Sequence, residues 1–182
     1  GPFKSKKFTA PKPTPPIEAR PKRLSVTQIE TLIRDPYSIY ARHVLRLKPL
    51  DPINANPGAA ERGVIIHHAL DQFIKTFPNE LPDMAEQQLL EIGEKFFRPS
   101  LIHPSVHAFW WPRFKRIATW FIANEFERRA SGFSNVGTEK DGELIIEDTS
   151  PPFILSARAA RIDHRADIGY TIIDYKTGRL PG

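Results

Sequence analysis

No cysteine occurs among the 182 residues of the chain. Disulfides, thiolate zinc centres and iron–sulfur clusters are therefore excluded from it, and any metal must be held by histidine, carboxylate or carbonyl groups. No run of about 18 apolar residues is present, so no membrane-spanning helix is expected. The first residues also lack the apolar stretch of a secretory leader, and no internal repeat is found. What is there is a 40% apolar composition, enough for one domain with a hydrophobic core.

Lysine and arginine number 26 against 21 acidic residues, a net charge of +5, which invites a nucleic-acid partner. The excess is unevenly placed. Residues 1–23 hold seven basic groups, Lys4, Lys6, Lys7, Lys12, Arg20, Lys22 and Arg23, against Glu18 alone, so the tail carries +6 and residues 24–182 carry −1. The tail is proline-rich and reads as a linker ahead of a domain spanning 24–182. Its basicity argues for DNA binding only weakly. Gly1 in place of methionine fits a processed or excised fragment.

Hydrophobic periodicity predicts helices first. In "LSVTQIETLIRDPYSIYARHVLRL", Ser25 and Gln28 have capping-box spacing, and Ile29, Leu32 and Ile33 follow at helical intervals, so a helix starts near residue 26. Asp35-Pro36 caps a second helix running through Tyr37, Tyr40, Val44 and Leu47. After a loop at 49–58, "AAERGVIIHHALDQFIKTF" carries an apolar stripe of Ile66, Leu70, Phe73, Ile74 and Phe77. Two more helices are expected over 83–97 and 104–131. Helical spacing makes Trp110, Trp111 and Trp120 core residues of the last one, ahead of a partner surface or a base-stacking platform. Beyond Gly132, "GELIIED", "FILSARAARID" and "YTIID" read as strands of an antiparallel meander. The expected class is α+β.

The segment "YTIIDYKTGRLPG" sets an acid and a lysine two apart at the end of an apolar strand. Asp174 and Lys176 then point to one face and Tyr175 to the other. Phosphodiester hydrolysis commonly uses a divalent cation to polarise the phosphate and activate water. Magnesium and manganese take oxygen ligands, and manganese also accepts imidazole. Asp174 can supply a carboxylate, and Lys176 can orient water or stabilise developing charge. On spacing alone, D-x-K is so short a pattern that a surface ion pair at a strand end is the better reading.

Taken together, "RGVIIHHAL", "ARAARIDHRADIGYTIIDYKTG" and the opening helical stretch resemble the PD-(D/E)XK nuclease domain of the RecB-like family. The likeness is strongest to the C-terminal nuclease domain of AddB-type subunits of bacterial helicase–nuclease complexes, runs from about residue 24 to the end, and includes "FWWPRFKRIATWF". It implies a helical N-terminal part packed on the start of a mixed, restriction-endonuclease-like sheet, truncated after the D-x-K strand. It further implies metal-dependent DNA hydrolysis, exonucleolytic or endonucleolytic, in double-strand-break repair, with Mg2+ or Mn2+ as cofactor and no iron–sulfur cluster. DNA is the implied partner, with a helicase subunit of an AddAB-type complex or the rest of the same chain, and the compartment the bacterial cytoplasm. His67 takes the role of a metal-ligating histidine, Asp174 of a metal carboxylate, Tyr175 of a main-chain carbonyl ligand and Lys176 of the catalytic lysine. Without the resemblance, His67 shares a helix face with Gly63, Leu70 and Ile74 and reads as a buried structural histidine, while His68 points about 100° away.

The resemblance breaks at one residue. Where the family places a second metal-binding acid, the stretch Ala157-Arg158-Ala159-Ala160-Arg161-Ile162-Asp163 has Ala160. Asp163 is the acid left to stand in. A turn at "ADIG" with Gly169 in the left-handed conformation would pair Ile162 near Asp174 and Ala160 near Lys176, so even-numbered residues face the site. Arg161, Asp163 and Arg165 would then lie among surface charges on the opposite side; a one-residue slip would reverse this. The expectation is a missing ligand and impaired catalysis, with a nuclease fold kept as a DNA-channel or docking module as the second reading and a helical interaction module as the third. Arg113, Lys115 and Arg116 are weak candidates for phosphate contacts. Some relatives carry a cluster-binding cysteine where this chain has Asp35. The sheet, ending soon after Lys176, is expected to rest on another chain or on more of a larger protein.

Overall fold

A computed structural model describes residues 12–50, 58–98 and 106–176. Expectations for the tail before Lys12, the loop at 51–57, the helix start at 104–105 and the chain end after Lys176 lie outside the described residues. The described residues fall into two compact units. One comprises those up to Leu50 with Glu143–Ser156, and the other those from Gly58 to Gly142 with Ala157 onward.

In the first unit a 3-10 turn, Ile17–Ala19, lies within the proline-rich segment, and strand β1 is Arg23–Ser25. Helix α1, Val26–Arg34, starts where the capping box predicts: the Ser25 side chain accepts from the Gln28 backbone N–H at 3.2 Å, and Gln28 Oε1 accepts from the Ser25 backbone N–H at 2.9 Å. Asp35 caps α2, Pro36–Ile39, through the backbone and hydroxyl of Ser38. The second helix does not stay α-helical to Leu47 as expected. It widens into a π-helical turn, Tyr40–Val44, in which the Leu45 N–H donates to the Tyr40 carbonyl at 3.1 Å, and Arg46 stops it by adopting φ 56°. Apolar spacing cannot distinguish these windings, because both bring residues four or five apart to one side.

The second unit is built on three helices, α3 (Ala59–Thr76), α4 (Ala85–Phe97) and α5 (Trp111–Ala130). Ile66, Ala69, Leu70, Phe73 and Ile74 of α3 are buried at the spacing of one helix face, against Leu89 and Phe97 of α4 and Phe114, Ala118 and Phe121 of α5. Each such leucine, isoleucine or phenylalanine side chain contributes about 1.5–3 kcal/mol by leaving water. Gly93 lets α4 and α5 approach closely, since a Cβ there would sit 2.1 Å from Phe114 Cε1. The long helix expected over 104–131 is preceded by a π-helical turn, Val106–Trp110. Pro112, in the first turn of α5, has no N–H to continue the ladder. Of its tryptophans, Trp110 is buried and Trp111 packs partly against the core, but Trp120 is 58% exposed, contrary to the expectation from spacing.

Strands β2 (Ser134–Ile146), β3 (Phe153–Arg165) and β4 (Gly169–Ile173) follow. The sheet has the order β1-β3-β2, with β4 also paired to β3. It is mixed, because β1 runs parallel to the start of β3 (Leu24 opposite Leu155) while β4 runs antiparallel to its end. The three runs read as a meander do pair in chain order, β2 with β3 and β3 antiparallel with β4; β1, too short at three residues to show alternation, is the strand that makes the sheet mixed. Gly169 adopts φ 88° as expected. The register is two residues tighter than expected, Ile162 facing Ile172 rather than Asp174, because the hairpin closes at Arg165 opposite Gly169.

Candidate active site

A shift of two residues preserves the alternation of faces. Even-numbered residues of β3 and β4 therefore share one side, and the register continued by one step sets Ala160 opposite Asp174 rather than Lys176. Directly opposed strand residues have Cβ atoms about 4.5–5.5 Å apart. An acid at 160 would stand beside the Asp174 carboxylate. That side is open. Tyr170 and Ile172 are 73% and 71% exposed, and Asp174 and Lys176 form an ion pair whose side chains are about half exposed or more.

Helix α3 brings His67 to the end of β4. Its Nε2 lies 2.6 Å from the main-chain carbonyl oxygen of Tyr175, close enough for an N–H there to donate to it. The Tyr175 ring meets the His67 ring edge-on at 6.1 Å and packs against Phe121 at 5.7 Å. Two of the groups singled out in sequence, the imidazole and the Tyr175 carbonyl, are thus in contact, and the Asp174 carboxylate belongs to the adjacent residue. His67 is half-buried and hydrogen-bonded, whereas its neighbour His68 is exposed on α3 with its ring 5.9 Å from that of Phe96.

The odd-numbered side of β3 differs from the expectation. Asp163 and Arg161 do point away from Asp174, but they are not surface charges: Asp163 is 0% and Arg161 2% exposed. Asp163 Oδ2 accepts from Arg128 Nε and Nη2 at 3.1 and 2.9 Å, and its Oδ1 accepts from Arg161 Nε at 2.6 Å. Arg161 Nη1 donates to Glu125 of α5 and, at 3.2 Å, to the Tyr175 hydroxyl. Glu125, itself buried, also accepts from Arg129 Nε at 3.2 Å. Both carboxylate oxygens of Asp163, the doubtful metal ligand, are committed to guanidinium groups on the side away from Asp174. Burial opposes charge on Arg161, yet its bonds to Glu125 and Asp163 and the proximity of Tyr175 carry its pKa above the ordinary arginine value. Burial pushes the Tyr175 hydroxyl up, partly offset by the Arg161 cation.

Sequence reading missed Glu125, whose signal is its position: Phe114, Ala118, Phe121 and Glu125 form one buried stripe at spacings of four and three. It also passed over Glu139, which lines a hollow of about 310 Å³ with Gly63, Val64, His67 and His68. Glu139 has φ 48° and accepts from Arg158 Nε at 2.7 Å. Nothing in "GTEKDGE" marks it. Of the three weak phosphate-contact candidates, Arg113 and Arg116 line a hollow of about 300 Å³ with Ile117 and Trp120, and Lys115 Nζ lies 5.9 Å from the Trp111 ring centroid.

A family model for the PD-(D/E)XK nuclease superfamily matches residues 23–182. The chain belongs to that superfamily. Its mixed sheet and flanking helices accord with the restriction-endonuclease-like fold, and nuclease activity is the activity the membership suggests. The nuclease-superfamily domain is also similar to uncharacterized proteins of several Rickettsia species. It is 32% identical to one of Rickettsia bellii over 161 residues, 88% of this chain and 19% of that protein. Relatives in Rickettsia conorii and Rickettsia typhi are 29% and 30% identical over 165 residues, again 88% of this chain and 20% and 19% of theirs. The chain thus spans about a fifth of the length of these relatives.

Members of the superfamily typically use divalent metals. The donors at the end of β4 suit such an ion in kind, an imidazole, a carbonyl and a carboxylate, but not in number. Among the described residues no three histidine, aspartate or glutamate side chains converge as a metal site. Ala160 supplies no carboxylate, and the one at Asp174 is held by Lys176. Among the described residues the donor set does not complete a metal centre. No helix among the described residues is long and apolar enough to cross a membrane.

Proposed function

We propose that this chain is a DNA nuclease domain whose hydrolytic centre, at His67, Asp174, the Tyr175 carbonyl and Lys176, is disabled by the lack of one carboxylate at position 160. The observation that carries the reading is the 2.6 Å contact between His67 Nε2 and the Tyr175 carbonyl. It joins two distant sequence motifs at the residue between Asp174 and Lys176, just past the end of β4. In this reading Asp174 and the two His67-side donors would hold Mg2+ or Mn2+, and Lys176 would stabilise charge on the phosphate, once an acid at 160 completed the set. As it stands, the domain handles DNA beside a helicase, as an AddB-type subunit would, with its chemistry lost or slowed. The length of the relatives and the exposure of Tyr170 and Ile172 support a setting within a larger protein or complex.

The test is cleavage of linear DNA with magnesium and with manganese by the chain and by its Ala160→Asp variant. Cleavage gained only by the variant is the expected result. Equal cleavage by both would contradict the disabled centre. No cleavage by either would favour the second reading, a nuclease fold serving as a DNA channel or dock.

A further inference from the structure

We infer that the hollow beside the π-helical turn of the first unit binds the phosphodiester backbone of a DNA strand, an inference that rests on the nuclease reading above. From Pro36 to Leu50 there are four basic residues, Arg42, His43, Arg46 and Lys48, and no acid. All four line one concave surface of about 1070 Å³, together with Ser38 and Leu47. Arg42, Arg46 and Lys48 are exposed, and among the described residues none of the three has a carboxylate partner. Residues 24–182 are slightly acidic as a whole. The local positive field is therefore not a by-product of overall basicity.

Two features separate this cluster from ordinary helix-end chemistry. Cations favour the last turn of a helix, where they meet the negative end of the dipole, and that accounts for Arg42 and His43. Arg46 and Lys48 lie beyond it. Arg46 also occupies the left-handed position that closes a helix, φ 56°, where glycine fits at least cost. At that position the exposed Arg46 side chain lines the hollow although glycine would hold the backbone at less cost. His43 is tied to α1 by a 3.2 Å contact between its Nε2 and Gln28 Nε2, which fixes one wall of the hollow. Guanidinium forks present paired donors that match phosphate oxygens, and lysine adds a point charge.

The experiment is anisotropy of a labelled single-stranded oligonucleotide and of its blunt duplex, in chelator so that no metal or cleavage enters, between about 50 and 200 mM salt. The proteins are the whole chain, the variant Arg42→Ala/Arg46→Gly/Lys48→Ala, and Arg46→Gly alone. Three lost phosphate contacts should flatten the salt dependence of log K on a single strand by roughly 2, since each contributes about 0.7. Affinity should fall at least tenfold at the low-salt end. A fall confined to one probe would assign the hollow to that form of DNA, and a fall for both to the backbone of either. Arg46→Gly should unfold at the same or a higher temperature while binding more weakly, which separates lost contact from lost fold. Unchanged affinity and slope in the triple variant, or displacement of the DNA by polyglutamate as readily as by unlabelled DNA, would overturn the proposal. The nuclease reading is tested by metal-dependent cleavage at position 160, so either can fail alone.

Discussion

The two faces of the β3–β4 hairpin invert the usual placement of charge. The face turned to α5 buries Arg161, Asp163 and the Tyr175 hydroxyl in a network with Glu125 and Arg128. The other face is open to solvent and carries Asp174 and Lys176 beside an alanine and an isoleucine. Charge buried this way holds position and is committed to partners on the side away from Asp174. Charge on the open side is available for chemistry but is one acid short. Tyr175 joins the two: its hydroxyl belongs to the buried network and its carbonyl to His67.

The largest effect should come from breaking the buried face. Arg161→Ala would leave Glu125 and Asp163 without their shared cation in a dry interior, and removing one member of such a network costs about 3–5 kcal/mol. Urea unfolding should show the loss. A change under about 1 kcal/mol would mean that water already reaches these groups. Next, Ala160→Asp on the open face should raise divalent-metal affinity on the order of tenfold, about 1.4 kcal/mol, with little change in stability, as titration calorimetry and the same urea series would report. Smaller again is Ile172→Thr, on the exposed side of β4, which should stay within about 0.5 kcal/mol of the parent. A larger loss would show that this face is covered in solution.

The smallest effect concerns pH. The Tyr175 hydroxyl has its pKa raised above 10.0 in the folded chain, so ionisation favours the unfolded state. Its contribution to stability is whole below the unfolded pKa and is lost as pH rises through the folded one. Relative to Tyr175→Phe, the parent should therefore lose stability faster above about pH 10. Parallel curves for the two proteins would show that the hydroxyl titrates as it does in water.

These contrasts also show what was legible in sequence. The helices were, since the stripe through Ile66, Leu70, Phe73 and Ile74 and the Ser25–Gln28 box are local patterns with local causes. The alternation that puts Ala160 with Asp174 was too, because period two survives an error of two in register. Asp163 was not. Strict alternation of Arg161, Asp163 and Arg165 looks like a solvated face, and only the arrival of Glu125 and Arg128 from a helix some 35 residues earlier turns it into an interior. Strand β1 was hidden for a similar reason: its partner in β3 lies about 130 residues away. The π-helical turns and Trp120 depend on winding and packing that hydrophobic spacing does not encode.

The most direct measurement is manganese titration calorimetry of the unaltered chain beside Ala160→Asp. The centre described above predicts weak or absent binding by the first and clear, single-site binding by the second, abolished again by adding His67→Ala. Equal, tight binding by the unaltered chain would mean that another acid completes the site, and that Ala160 is not its missing ligand.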